Sequence, residues 1–140
     1  MTSDFLDSMV DYFETKNHVF VHSFVPTRRE RISKMSDYRW YYNHFYLPNW
    51  REVSANDWDN ARWGDPFLQI EEGAWAEDKI LVFGHWHASR GWADYYGYPE
   101  FREGARFDPF YGENFIAIDG CTGHTGKCNC VVIEDEFIGE

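Results

Sequence analysis

The chain has few cysteines, no secretory signal and no long hydrophobic run. Its 3 cysteines are an odd number, which together with the missing signal indicates reduced thiols and a cytoplasmic protein. The N-terminus lacks the basic region and apolar region that a signal peptide would show. Apolar runs such as Ile80–Phe83 are far too short to cross a bilayer, so no membrane association is predicted.

Positive charge is also scarce. Lys and Arg number 13 against 24 Asp and Glu, which gives a net charge of −11. Binding to nucleic-acid backbones needs a cationic surface, so no nucleic-acid partner is expected. A small phosphorylated substrate is still compatible with this charge, because a metal centre can reverse the local potential.

Aromatic side chains, by contrast, are abundant. They make up 20% of the 140 residues, and each can bury a large apolar area. That is sufficient for the core of one domain. No repeat or linker divides the chain, so residues 1–140 are interpreted as one domain or as one part of a larger domain.

Hydrophobic periodicity predicts an α+β fold. Apolar residues near helical spacing predict helices over Asp4–Thr15 and over Val53–Trp63, the second capped by Ser54. The turn Gly64-Asp65-Pro66 is expected to end the second helix. Residues 26–50 are interpreted as a long connection and residues 88–113 as a loop. The predicted strands, each a short apolar run, are His18–His22, Ile80–Phe83, Phe115–Asp119 and Lys127–Glu134.

Two of the predicted strands end in histidine. One leads through a glycine into His85-Trp86-His87, and an earlier one, Val19–Val21, leads into His22. Residues two apart in extended chain advance about 6–7 Å and return to the same side. The rings of His85 and His87 can therefore both reach one site, including a pair of metal ions about 3.5–4 Å apart. The pattern predicts a metal cluster at the carboxyl edge of the sheet, with these three histidines as ligands.

A second group of soft ligands lies near the C-terminus. His124 is close in sequence to Cys121, Cys128 and Cys130, which superficially suggests a zinc site. The last two cysteines would share one strand face with Val and Ile neighbours. Buried free thiols are therefore favoured over zinc ligation. A disulfide between residues two apart on a strand is also excluded by geometry.

Three segments carry a family resemblance. They are residues 5–22, which end in a strand followed by His, the Gly-His-x-His segment at 84–87, and the predicted closing strands within 115–134. Together they resemble the calcineurin-like metallophosphoesterases, which include Ser/Thr protein phosphatases and diadenosine-tetraphosphatase-like enzymes. Trp58–Pro66 also fits a variant common among bacterial and phage members. The resemblance implies the C-terminal half of a β-sandwich flanked by helices.

The family binds two divalent metal ions, which for this chain would be Mn, Fe or Zn. The resemblance implies that His22 and His85 serve one ion and His87 the other. The family's Asp-x-His, Gly-Asp-x-x-Asp and Gly-Asn-His-Asp/Glu motifs do not occur in this sequence. Each metal needs about four to six ligands, which three imidazoles cannot supply. The predicted partner is therefore a missing N-terminal half or another copy of the chain, and the catalytic residues are unknown.

Several arginines are candidates to bind the phosphate of a phosphorylated substrate. Arg28, Arg62 and Arg90 are the main ones, with Arg29 beside the first, because a guanidinium matches phosphate oxygens in a bidentate fashion. Three functional alternatives stay open: a fragment of a metal-dependent phosphoester hydrolase, one half of a split phosphatase, or a non-catalytic remnant or interaction module. Uncovered apolar residues near Val19–Val21 and Ile80–Phe83 would favour self-association.

Overall fold

Five of seven strands form one mixed sheet in a computed structural model of the chain, which describes residues 8–36 and 39–138. The strands are β1 (Tyr12–Glu14), β2 (His18–Val21), β3 (Arg28–Ser36), β4 (Arg39–Phe45), β5 (Ile80–His87), β6 (Phe110–Tyr111) and β7 (Phe115–Asp119). The sheet order is β1-β2-β5-β7-β6, with β2, β5 and β7 parallel and the two edge strands antiparallel. β3 and β4 form a separate antiparallel pair.

Four helices and one 3₁₀ turn connect these strands. They are the turn Trp50–Glu52, α1 (Ala55–Ala61), α2 (Pro66–Glu71), α3 (Ala88–Tyr96) and α4 (Thr122–Thr125). α1 begins after Ser54, whose hydroxyl accepts from the Asp57 amide, as predicted. α2 begins with Pro66 at its first turn, and the Asp65 carboxylate accepts from the Leu68 amide at 3.1 Å. The α+β class is therefore confirmed.

The aromatic residues form the core, on the side of the sheet that faces the helices. Phe83 of β5 and Phe115 of β7 stack with ring centroids 5.7 Å apart, and Phe67 of α2 meets Phe83 edge-on at 5.3 Å. Trp50 is fully buried and packs against Trp58 at 5.8 Å. These contacts fix the helices against the parallel strands, whose carboxyl ends carry the histidines.

The apolar strand residues that were expected to be uncovered are mostly buried, although Phe20, Val21 and Ile80 are only half-buried. Val19, Leu81, Val82 and Phe83 are all 2% exposed or less. Val19, Leu81 and Phe83 are covered because they belong to the hydrophobic core, together with Trp50 and Phe67. Exposed apolar residues lie elsewhere in the described chain, for example Phe13 of β1, which is 48% exposed, and Tyr96 of α3, which is 66% exposed.

The predicted helix over Asp4–Thr15 is also wrong where it can be compared. Residues 4–7 lie outside the described residues, and Tyr12–Glu14 form β1. Pairing with β2 provides these backbone groups with hydrogen bonds. The Tyr12 ring also stacks on Trp58 at 5.3 Å. Tertiary contacts therefore override the local helical spacing.

Residues 88–113 contain a helix that the sequence did not predict. α3 ends at Gly97, whose φ of 73° gives the left-handed cap that glycine adopts readily. Gly91 lies so close to Phe110 that an added Cβ would be 2.5 Å from the ring. These two glycines weaken the helical pattern in the sequence, yet one ends the helix and the other lets it pack against β6.

The predictions for residues 26–50 and for Lys127–Glu134 can also be compared with the structure. The segment 26–50, which was expected to be a long structured connection, contains the β3–β4 strand pair. Lys127–Glu134 does not form the predicted strand. Side chains attach this C-terminal segment instead: the Asn129 amide donates to the Ile118 carbonyl of β7 at 3.1 Å. Farther on, Asp135 binds the turn between β1 and β2.

Asp135 holds the C-terminal segment in place. Its carboxylate accepts from the Thr15 hydroxyl and the Asn17 side-chain amide at 2.6 Å each, and it lies 2.6 Å from Nδ1 of His18. Burial opposes ionisation, but these hydrogen bonds hold the pKa of the Asp135 carboxyl well below its usual range. The Asp135 carboxylate is thus the shared hydrogen-bond partner of Thr15, Asn17 and His18, whose side chains have few other acceptors nearby.

Asp135→Asn is expected to loosen residues 127–138, because a neutral amide accepts these hydrogen bonds more weakly. Limited proteolysis should cut this segment several-fold faster while the central sheet stays intact. The matched control is Glu136→Gln, which removes only an exposed pair with Lys16. Equal cleavage rates in the two variants would contradict the role given to Asp135.

Candidate metal centre

The ends of β2 and β5 bring His22 and His85 together. Parallel pairing continues past β2, since the Gly84 amide donates to the His22 carbonyl at 3.0 Å. The two imidazole centroids are 4.9 Å apart, with an interplanar angle of 43°. The predicted meeting of the two strand ends is therefore observed for this pair.

The backbone at His85 is unusual. Its φ of 63° lies in the left-handed region, which residues other than glycine seldom adopt. The pairing of β5 with β7 shifts register between Phe83 and His87, around this residue. A bulge of this kind re-aims a side chain and is common next to functional sites. The local strain of about 1–3 kcal/mol must be held by the surrounding structure.

His87 lies at the same end of the sheet, but its ring is not part of the contact between the His22 and His85 rings. It is the last residue of β5 and the residue that precedes α3, with no side-chain capping hydrogen bond. Its ring meets Phe101 edge-on, with centroids 5.3 Å apart. A cleft of about 370 Å³ joins His87 to His85, with Trp63 and Glu100 also on its walls. The three predicted ligands thus share one region, with His87 set apart from the paired rings.

Trp63 is a site residue that sequence reasoning did not single out. Its ring centroid lies 5.3 Å from that of His85 and 6.1 Å from that of His22, near-perpendicular to both. The following residue is fixed, because the buried Ser23 hydroxyl donates to the Gly64 carbonyl at 2.7 Å. The sequence signal that could have identified Trp63 is a tryptophan in a turn directly after a helix. In the fold, Trp63 is 67% exposed.

Asp119 is the second residue that was missed. It ends β7 and is in register with His87, while its Oδ1 accepts from the Cys121 amide at 2.7 Å. The sequence signal was the one that identified His22, namely a polar side chain at the carboxyl end of a parallel strand. The site therefore has at least one carboxylate nearby.

Burial and the neighbouring ionisable groups change the pKa of the His85 imidazole. Burial lowers the pKa of the His85 imidazole, the neighbouring His22 lowers it further, and Asp119 opposes the change. A lowered pKa favours the neutral imidazole at pH 7, which is the form that binds metal ions.

The donor set fits a metal ion only in part. Among residues 8–36 and 39–138, no three His, Cys, Asp or Glu side chains are grouped so that they could hold an ion. Two imidazoles at the observed separation suit zinc or a similar transition metal. The remaining ligands would have to come from outside these residues or from movement of His87.

Of the candidate arginines, only Arg90 is placed against the cleft. It pairs with Asp94, and its guanidinium lies 5.7 Å from the ring of Trp86 on the cleft wall. Arg28 and Arg62 are engaged in ion pairs elsewhere, and Arg29 lines a separate cavity. Arg28 pairs with Glu30 and covers the Phe45 ring at 4.4 Å, whereas Arg62 pairs with Asp11 and Asp59.

The cysteines are free, as expected, but they are not buried. Cys128 and Cys130 are exposed and Cys121 is half-buried. Exposure follows from the irregular course of residues 127–134, which do not lie in the sheet. The His124 ring packs against Phe107 at 5.9 Å.

No protein-family model, no curated protein and no solved structure matches this chain. The metallophosphoesterase resemblance therefore stays an expectation from the quoted sequence segments alone. No helix among the described residues is long and apolar enough to cross a membrane.

Proposed function

We propose that this chain supplies the imidazole ligands of a metal-dependent phosphoester hydrolase, with the carboxylate ligands supplied by another polypeptide segment. The observation that carries the proposal is the contact between His22 and His85 at the carboxyl ends of two parallel strands. His87 would be the third ligand. A pair of divalent ions held partly by these histidines would supply Lewis-acid chemistry for the hydrolysis of a phosphoester.

The protein's own residues would orient the substrate and shield it from water. Trp63 and Phe101 form apolar walls beside the histidines. Arg90 would contact a phosphate oxygen after giving up its pair with Asp94, since both groups lie on the exposed side of α3. The substrate class is a phosphoester, and the segment that completes the site would carry the Asp-rich motifs named above.

The surface for this segment would lie at the β1 edge of the sheet. Phe13 packs beside Phe20 of β2 and Phe137, with ring centroids 5.9 and 6.1 Å away. Phe13, Phe137 and nearby Val10 are all about half exposed or more. An edge strand with exposed apolar side chains is suited to pairing with another chain. Because β2 also carries His22, a segment added here would extend towards the metal centre.

A non-catalytic interaction module is the second candidate. It is favoured by the lack of a three-ligand group among the described residues and by the ion pairs that already engage Arg28 and Arg62. The two candidates differ in metal binding: the proposed half-site should bind zinc through His85, and an interaction module should not.

The chain by itself is expected to hydrolyse p-nitrophenyl phosphate with Mn²⁺ only at the background rate. The reason is that the carboxylates that bridge two metal ions are missing from the ligand set. Initial rates with and without the protein measure this directly. Robust Mn²⁺-dependent hydrolysis that disappears in His85→Ala would show a complete site and overturn the half-site proposal.

A further inference from the structure

A second cavity lies on the other side of Trp63 from the histidine cleft. Its volume is about 270 Å³, and Trp63 lines both spaces. It is formed by the start of β3, the end of β4, α1 and the first turns of α2. The polar side chains on its walls are Thr27, Arg29, His44, Asp57, Asn60 and Gln69.

The elements that line this cavity present different groups. Asp57, Asn60 and Ala61 line it from one face of α1, in agreement with their helical spacing. Arg29 lines it from β3 and has no carboxylate partner among residues 8–36 and 39–138. Its guanidinium lies 5.3 Å from the centroid of the Tyr42 ring. The lining thus offers a cation together with a carboxylate and an amide oxygen.

The remaining polar groups are held in fixed positions. Gln69 is only 4% exposed, and its Nε2 donates to the Asp65 carbonyl at 3.2 Å. His44 is fixed by Glu72, which lies 2.7 Å from its Nδ1. The Asn60 amide donates to the Asn56 carbonyl at 2.9 Å, which leaves its oxygen free to accept. Walls fixed in this way bind a ligand with little loss of side-chain freedom.

We infer that this cavity binds the polyhydroxylated leaving group of a sugar-phosphate ester. The inference rests on the proposed function, because the phosphoryl group would lie beyond Trp63 at His22 and His85. Sugar hydroxyls can donate to the carboxylate of Asp57 and to the oxygen of Asn60, and they can accept from Arg29. The exposed ring of Trp63 would contact the apolar side of the sugar.

The size and polarity of the cavity favour a sugar over other leaving groups. Pockets for drug-sized ligands are usually about 300–1,000 Å³ and predominantly apolar, whereas this one is at the small end and mostly polar. A purine base would need a larger apolar slot. A peptide would require an extended groove, and a space of about 270 Å³ is too small for one.

The test is titration of the ¹⁵N-labelled protein with glucose 6-phosphate, followed by the Trp63 indole N–H signal. Trp63→Phe assigns that signal among the 7 tryptophans. Glucose 6-phosphate is expected to shift it in a saturable manner, and glucose alone to shift it more weakly. Asn60→Ala and Arg29→Ala should each weaken binding about five- to tenfold, the effect of losing one or two hydrogen bonds. His124→Ala, which lies outside both cavities, should leave the affinity for glucose unchanged.

The outcomes separate this inference from the proposed function. Zinc binding that depends on His85, with no response to glucose 6-phosphate, would overturn the sugar site and leave the metal site standing. A larger Asn60-dependent shift with AMP or with a phosphoserine peptide would overturn the assignment to sugars. A glucose response that persists in Asn60→Ala and Arg29→Ala would also contradict it. Sugar binding that follows the predicted variants, without zinc binding, would retain the cavity and overturn the metal-centre proposal.

Discussion

Replacing both His85 and His87 by alanine is expected to lower the affinity of the chain for Zn²⁺ by at least two orders of magnitude, or to abolish it. Loss of a residue that only orients a ligand typically costs about 10–100-fold in metal affinity, and loss of a ligand should cost at least as much. His22 alone would then remain of the paired rings now 4.9 Å apart. One imidazole cannot hold the ion firmly.

Isothermal calorimetry at pH 7.5 measures this effect. The wild-type chain should bind Zn²⁺ weakly, with a dissociation constant in roughly the micromolar range or above, because its ligand set is incomplete. The control is His124→Ala, which removes an exposed imidazole that packs against Phe107 and lies outside the cleft. Its affinity should equal that of the wild type.

Two results would contradict the metal centre. One is an absence of Zn²⁺ binding by the wild type, which would favour the interaction-module alternative. The other is binding that persists in the double variant and is lost in His124→Ala. That pattern would move the site to the C-terminal group of His124 and the three cysteines, which the sequence had left as an alternative.

The parts of the site that could be predicted are those determined by short-range pattern. A short apolar run that is buried on both faces becomes a parallel strand, and the polar residue that follows it lies at the carboxyl end of that strand. This reasoning identified His22 and His85. Applied consistently, it would also have identified Asp119 at the end of β7. The left-handed backbone of His85 could not be predicted, because it arises from a register shift against that neighbouring strand.

The failures came where tertiary contacts decided the structure. β1 has a helical apolar pattern, but pairing with β2 and the contact of Tyr12 with Trp58 favour an extended chain. The turn that contains Trp63 is attached to the sheet by a hydroxyl far away in sequence, on Ser23, which donates to the Gly64 carbonyl. Such contacts between distant parts of the chain leave little periodic signal in a single sequence.

Arg51→Met is expected to destabilise the fold by about 2–4 kcal/mol, a large share of the roughly 5–15 kcal/mol typical of a domain. Arg51 connects two separate elements. Its Nη2 donates to Glu14 of β1 at 2.6 Å, and its Nη1 donates to Glu77, before β5, at 2.9 Å. The side chains of Glu14 and Glu77 are only 16% and 14% exposed. Removing the guanidinium leaves two partly buried carboxylates with fewer partners.

Urea denaturation at pH 7 compares this variant with Arg62→Met. Arg62 also contacts two carboxylates, those of Asp11 and Asp59, but its side chain is 43% exposed and that of Asp59 is 70% exposed. Exposed pairs typically contribute about 0–1 kcal/mol, so the control variant should lose little. Equal losses in the two variants would contradict the role given to burial.

The same network predicts how stability depends on pH. The hydrogen bond from Arg51 is the largest cause that lowers the pKa of Glu77 from 4.5 to about 2, and it also lowers the pKa of Glu14. A carboxyl with a depressed pKa in the folded state stabilises the protein above its ordinary pKa, and this contribution disappears as the pH falls. The wild type should therefore lose stability between about pH 4.5 and pH 2. In Arg51→Met the pKa of Glu77 should return towards 4.5, so the decline over this window should be shallower. Parallel stability curves for the two proteins would show that Arg51 does not set the acid sensitivity of the fold.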